Sequence, residues 1–524
     1  MNNRIFINVL LSLLFLIIPG IASYGADSVL ENSKLDIPKP GTVVLEKFQP
    51  DLWRQYASFA RPRELRATAT ANSQLAVELY HAYRQDQTIE NFAFAPFDIA
   101  QTLAMTAVGA EGDTLTALLD ELRTTLPDSR LHAVTNAATL DMVNRNQSGG
   151  LQQHNGLWGQ GRSLAHQQAP YLFSRLFLRR LARHYGPQMT AVDFTDPTLP
   201  LAAVEINPWI ATNTDQVIQN LLDASSISEK TRLVTASTLA LNSLWQLPFD
   251  SGATVQGRFE LLDKTHVRVP LMTQTGEFPY VKGESYQAFE FPLANSDLGI
   301  LVVMPDFGNF ETFQATLDVA RLNAIAAALT PTQLTVRLPV TQVKTRKSLA
   351  GVLDKLSASG AFVEGEANFT GVNNAGYLFL KTLDHEAAIS LQAEGPKAAG
   401  ATVVAYQATR DEPPGIWDGG GVIIINPSCD SQQNYFDPSL TLARPFLFAV
   451  RDHKTGSILA MGRVAKPDGV LVPADLVLIT RCLGFIDLIV TPPSQFVFTQ
   501  DDLAGRSVTI TARKVTLIAI VLDI

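Results

Sequence analysis

Leu383-Asp384-His385-Glu386-Ala387-Ala388-Ile389-Ser390-Leu391-Gln392-Ala393-Glu394-Gly395-Pro396-Lys397-Ala398-Ala399-Gly400-Ala401-Thr402 is the stretch on which the fold turns. Ala387, Ile389 and Leu391 alternate at period two, as in a strand. A Glu394-Gly395 corner follows, and then a run with almost no side chain. The stretch continues as Val403-Val404-Ala405-Tyr406-Gln407-Ala408-Thr409-Arg410, rich in β-formers but with no partner strand nearby. The run from Ala398 to Thr402 lacks the residues that fix turns. Gly400 and the valine pair make it a poor helix. Small residues slip between neighbouring strands with little steric resistance. This composition predicts a segment that is exposed in one state and a strand in another. An alanine-rich linker is the plainer alternative.

The chain has 524 residues, room for roughly two or three average domains or for one large domain with appendages. Hydrophobic residues make up 46% and charged residues 17%, which supplies a sizeable core. The net charge is −9 and the basic residues are dispersed, which argues against a nucleic-acid surface. Residues 1–26 read as a secretory signal. Arg4 supplies the positive end, Ile5 to Ile18 is nearly unbroken apolar sequence, and Ala22, Ser23, Gly25 and Ala26 offer small residues for cleavage. An uncleaved membrane anchor is the alternative. The mature chain is expected to be secreted and extracellular, or periplasmic in a Gram-negative host. Two cysteines, Cys429 and Cys482, could pair in an oxidising compartment. Neither sits in a C-x-x-C pair, so a metal or redox site is not expected.

Residues 27–70 read as an N-terminal extension with one short helix near Leu52–Phe59. Ser73 to Tyr83 has helical spacing. Phe92 and Phe94 alternate as a strand, Pro96 opens a helix that runs to Val108, and Asp113 is a candidate cap for the next helix. Tyr171 to Tyr185 is a basic helix read as a solvated face. Ile206 to Leu222 is predicted helical, and Thr231 to Trp245 is a long strand. Val267–Pro270, Phe278–Lys282, Gln287–Pro292 and Gly299–Met304 suggest an antiparallel meander. Phe310 to Leu329 is predicted helical, Gln333 to Leu338 a strand and Ser348 to Leu356 a helix. Residues 411–440 form an insert with Gly419-Gly420-Gly421 and a strand-like Val422–Ile425. Thr441–Val450 and Ser457–Val464 read as a hairpin. The tail, residues 468–524, holds strand-like runs at Leu476–Ile479, Val508–Thr511 and Val515–Leu522. Helices come first, then strands and helices without a regular βαβ repeat, which is an α+β pattern.

Several segments, in order, resemble the serpins, the large serine-protease-inhibitor family. They are NFAFAPFDIAQTLAMTAVGAEGD from Asn91, INPWIATNTDQVIQNLL from Ile206, LVTASTLALNSLWQLPFD from Leu233, VPLMTQTGEFPY from Val269 and ILVVMPD from Ile300. His385 to Thr402 is similar to the strand and hinge before the family's reactive loop. RPFLFAVRDHKTGSILAMGRVAKP from Arg444 is similar to its C-terminal signature. The resemblance covers roughly residues 71–467.

The resemblance implies a single α+β domain with about nine helices, three β-sheets and an exposed reactive loop. It also implies inhibition of serine, or alternatively cysteine, endopeptidases. The protease cleaves the loop and is held as an acyl-enzyme while the loop inserts into the main sheet. Such an inhibitor needs no catalytic group, metal or cofactor of its own and is expected to be a monomer. The hinge is then Ala393, Glu394, Gly395, Pro396, Lys397, Ala398, Ala399, Gly400, Ala401 and Thr402. Counting about seventeen residues from Ala393, a span of roughly 56–58 Å when extended, puts the cleaved bond between Thr409 and Arg410. Thr409 suits an elastase-like partner; a register slip to Arg410 suits a trypsin-like one. On insertion, Pro396, Ala398, Gly400, Thr402, Val404 and Tyr406 would face the core, with Lys397 and Gln407 turned away. The cluster beneath the sheet opening is carried onto Ala95, Ser237, His385 and Trp245.

Three departures from the family pattern stand out. Pro396 replaces a small Thr or Ser, and proline is poorly tolerated inside a central strand though allowed at a strand's first residue. Slowed insertion is the expected consequence. Ala393 replaces a Glu. Ala95 and Ser237 replace a Ser and an Asn, which thins the polar cluster. The insert and the tail have no counterpart in the family pattern. A non-inhibitory serpin-fold binding or carrier protein is the rival reading. An enzyme is not expected, since no G-x-S-x-G elbow, phosphate loop or H-E-x-x-H is present.

Overall fold

The computed structural model describes residues 54–56, 59–86, 90–161, 173–196, 200–353, 359–373, 377–408 and 439–467, and the strand segments 470–472, 488–491, 495–498 and 508–511. The expected signal, the Thr409–Arg410 bond, both cysteines, the glycine run and the runs at 422–425, 476–479 and 515–522 lie outside them.

Helices dominate the first part: α1 (Pro62–Arg84), α2 (Pro96–Ala107), α3 (Gly112–Glu121) and α4 (Asp128–Asn146), with β1 (Phe92–Phe94) between the first two. Next come β2 (Leu151–Gln160), α5 (Arg175–Tyr185), β3 (Thr190–Val192), α6 (Asn207–Asn213) after a π-turn over 202–206, and β4 (Thr231–Asn242). A run of strands follows: β5 (Asp250–Glu260), β6 (His266–Lys282), β7 (Tyr286–Pro292) and β8 (Leu298–Pro305). Then come α7 (Phe310–Ala315), α8 (Val319–Ala328), β9 (Thr330–Pro339), β10 (Thr341–Ser348), α9 (Ala350–Leu353), α10 (Thr370–Asn373), β11 (Leu378–Leu391) and β12 (Pro396–Ala408). The chain returns with β13 (Ser439–Thr441), β14 (Phe446–Asp452), β15 (Ile458–Val464), β16 (Val470–Val472), β17 (Leu488–Thr491), β18 (Gln495–Phe498) and β19 (Val508–Thr511).

The helix expected over 206–222 is shorter. It ends at Asn213, and Asp215 and Gln216 take left-handed backbone that no helix accepts. The single helix expected over 310–329 is two, because the Asp318 carboxylate accepts from the Arg321 backbone N–H and starts a new one. Asp113 lies inside the first turn of α3 and is not its cap, which is Glu111. Val267–Pro270 and Phe278–Lys282 belong to one 17-residue strand, β6.

Two large sheets carry the fold. One has ten strands, in the order β1-β15-β14-β8-β7-β6-β9-β13 with β5 and β16 also on β6. The other has six, β10-β11-β12-β4-β2-β3. A three-stranded sheet, β17-β18-β19, is formed by the tail. The helix α2 is buried along almost its whole length, and Ile99, Leu103, Ala104 and Met105 tie it into the main core with Leu75, Leu79, Phe92 and Tyr406. On the other face of the six-stranded sheet, Ile206, Ile210, Ile218 and Leu221 pack against Ala399, Ala401, Val403 and Ala405. The sheet is thus covered on both faces, which suits the near-continuous apolar sequence of β4 and β12.

Candidate functional site

The small-residue stretch forms a central strand. The run expected to lack a partner has one on each side. β12 lies antiparallel between β11 and β4, with Ala399 opposite Ala388 and Ala240 and Thr402 opposite His385 and Ser237. The exposed arrangement expected for this segment is therefore not the one seen; the strand arrangement is. Residues of both parities are buried, which explains the composition. Ala398, Val404 and Tyr406 meet the core beneath, while Ala399, Ala401, Val403 and Ala405 meet the π-turn and α6 above. Lys397 is exposed, and Gln407 donates through Nε2 to Ser228 Oγ at 2.9 Å. The predicted alternation therefore holds.

The corner between β11 and β12 runs through Gln392, Ala393, Glu394 and Gly395. A Cβ on Gly395 would collide with the Ser243 carbonyl, so only glycine fits this approach. Pro396 is the first residue of β12, the position where a missing N–H costs least, and its carbonyl accepts from Ser243 N–H at 3.2 Å. Ala393 is half-buried and Glu394 is exposed. Trp245 sits at this end of the sheet, not beneath its middle. Its Nε1 donates to the Gln392 carbonyl at 2.7 Å and its ring packs on Phe249 and Phe291.

Ala95, Ser237 and His385 do come together, under the middle of β12. The Ala95 N–H donates to His385 Nε2 at 3.1 Å. Nδ1 therefore carries the ring proton and donates to Thr402 Oγ1 at 2.9 Å. Thr402 in turn donates to Asp98 Oδ2 at 2.6 Å. Gln153 Nε2 reaches Ser237 Oγ at 3.3 Å from the next strand. Burial holds the imidazole neutral, with its pKa pushed down to about 3. Burial also pushes the Asp98 carboxyl up to about 7, against the pull of the Ser237 and Thr402 hydroxyls. Asp98 Oδ1 is buried without a partner of good hydrogen-bond geometry. Asp98 was not among the residues expected from the sequence. The signal was the single charged residue of the helix Pro96–Ala107.

A family model described as "Serpin (serine protease inhibitor)" matches residues 70–467. Among curated proteins, the chain is 29% identical over 380 residues to an uncharacterised serpin-like protein of Thermococcus kodakarensis, covering 72% of this chain and 81% of that one. It is 24% identical over 408 residues to leukocyte elastase inhibitor A of Mus musculus, covering 76% and 99%. Among solved structures, a cleaved serpin named Serpin 42Da superposes with a TM-score of 0.66 at 22% identity, over 77% of this chain and all of that one, a likeness of fold.

Proposed function

The chain belongs to the serpin family, and on that premise we propose that it inhibits a serine endopeptidase by offering the bond between Thr409 and Arg410 and then drawing the preceding segment into the six-stranded sheet. The observation that carries this reading is β12 itself. Of its 13 residues, Lys397 to Gln407 have a ladder partner on each side and Pro396 and Ala408 have one on β11 alone, and its small and β-branched side chains are buried on both faces. Filling a sheet gap with this segment buries Val403, Val404 and Tyr406, each contributing about 1.5–3 kcal/mol of apolar transfer. That burial is one favourable contribution to moving a tethered protease, set against the cost of ordering the segment. The leader reading of residues 1–26 makes the target an extracellular or periplasmic enzyme, elastase-like if Thr409 enters its specificity pocket and trypsin-like if Arg410 does.

The test is incubation with an elastase-like and a trypsin-like protease. An SDS-resistant complex at the mass of the two chains is the expected result. Cleavage to a two-chain product with no such complex overturns inhibition. A second reading, a non-inhibitory serpin-fold binding protein, is favoured by one observation: β12 occupies the sheet here in an uncut chain. A chain that rests in this state has the place between β11 and β4 already taken. Cleavage in the segment after Ala408 separates the two readings. A rise in melting midpoint of roughly 10–20 °C means that the native form starts open, and no rise means that it starts filled.

A further inference from the structure

We propose that Asp98 is a positioning residue for the inserting segment: its carboxyl on the first turn of α2 receives the Thr402 hydroxyl and makes filling of the sheet a proton-linked step. The inference rests on the insertion reading above and adds a chemical condition to it.

The geometry isolates this carboxyl from any counter-charge. β12 roofs it with Thr402 and Gly400, whose added Cβ would stand 3.8 Å from that of Asp98. β4 presents Ser237. β11 presents His385, which is neutral and bonded to Thr402 rather than to the carboxyl. Tyr406 shares this face of β12 but lies beside Thr106 and Thr235. Lys397 on β12, Arg232 on β4, and Asp384 and Glu386 on β11 have the opposite strand parity and face the other side of the sheet. Among the described residues, no charged side chain of α1, α3, α4 or β15 acts on Asp98.

Taking β12 away removes both Thr402 and the roof. The carboxyl then faces the gap and ionises at an ordinary carboxylate pKa of about 4. With the strand in place the pKa is raised to about 7. The filled form therefore takes up a proton between these values. A raised carboxylate pKa weakens the filled form as pH rises through that window, about tenfold in the filling equilibrium per pH unit, and leaves it level above. Two hydroxyls favour the ionised form, and while Ser237 stays on β4, Thr402 arrives with β12, so its arrival moves where the window ends.

The test is the melting midpoint of the loop-cleaved full chain between about pH 5 and about pH 8. The wild-type midpoint is expected to fall up to about pH 7 and then level. Asp98→Asn is expected to flatten that fall, and Thr402→Val to carry it to higher pH. Parallel profiles in wild type and Asp98→Asn, or an unmoved profile in Thr402→Val, overturn the proposal. Thr402→Val decides alone if Asp98→Asn does not fold. A cleaved form no more stable than the uncut one defeats the insertion reading instead. The same three profiles are then taken on the uncut chain, whose sheet is filled here, and the same outcomes support or overturn the role of Asp98.

Discussion

Gly400 and Ala95 meet across the sheet with no room to spare, since a Cβ on Gly400 would strike the Ala95 methyl. That contact gives the glycine a packing role. Gly400→Val is expected to destabilise the filled sheet by about 1–3 kcal/mol through overpacking, read as a lower melting midpoint of the loop-cleaved protein. At Thr402, loss of the hydroxyl leaves a buried carboxyl short of a donor, so Thr402→Val is expected to cost about 1–3 kcal/mol near neutral pH, while Thr402→Ser is expected to restore most of it. Urea unfolding of the two variants checks the pair. Ala95, Ser237 and His385 were legible in the sequence because flanking motifs locate them. Asp98 was not. An acidic residue in the first turn of a helix satisfies the helix dipole and looks ordinary there. Only the register of a strand 304 residues away turns it into a buried acceptor.

Among the elements, α4 is pinned to the β14–β15 hairpin chiefly by Arg145, with Lys454 of the turn also reaching Asp141 at 3.1 Å. Arg145 donates through both terminal nitrogens to the fully buried Asp452 and also pairs with Asp141 and Asp297. Asp452 accepts from Thr455 as well, which shapes the hairpin turn. Asp452→Ala is expected to cost roughly 2–4 kcal/mol, below the full penalty for a broken buried pair because two carboxylates still hold the guanidinium. Hydrogen exchange should show the loss concentrated in β14, β15 and the end of α4. Most elements could be read from period and caps, as in β1, α2, β7 and β8. The helix that ended early has a plain cause. Over 206–222 the apolar spacing continues past Asn213 because Ile218 and Leu221 remain buried after the helix has ended. Periodicity reports which residues face the core, not whether the backbone between them is helical.

Across the whole molecule, both flanks of the body are tied to it by backbone. Gln55 N–H donates to the Arg183 carbonyl at 2.8 Å, and the Gln55 carbonyl accepts from Asn136 Nδ2 at 2.6 Å, so the segment before α1 bridges α4 and α5. At the other end, β16 pairs antiparallel with β6 from His266 to Arg268. Neither tie was legible beforehand, because both join segments far apart in the chain whose own sequence carries no pattern. Their energetic weights differ. The N-terminal clamp joins two helices and adds the Arg54–Asn136 and Arg183–Gln55 side-chain bonds. At about 0.5–1.5 kcal/mol net per hydrogen bond, deleting residues up to 60 is expected to lower stability by roughly 2–4 kcal/mol. The C-terminal strand is three residues long, and β6 keeps its longer ladders with β5 and β9. Truncation after Pro467 is therefore expected to move the melting midpoint by no more than about 2 °C. It also uncovers an unpaired strand edge at His266–Arg268, and open edges recruit other chains. Scanning calorimetry beside light scattering separates the two deletions: the first should melt earlier as a monodisperse protein, and the second should melt in place but grow in particle size with concentration. A tail-less chain that stays monodisperse overturns the view of β16 as an edge cover.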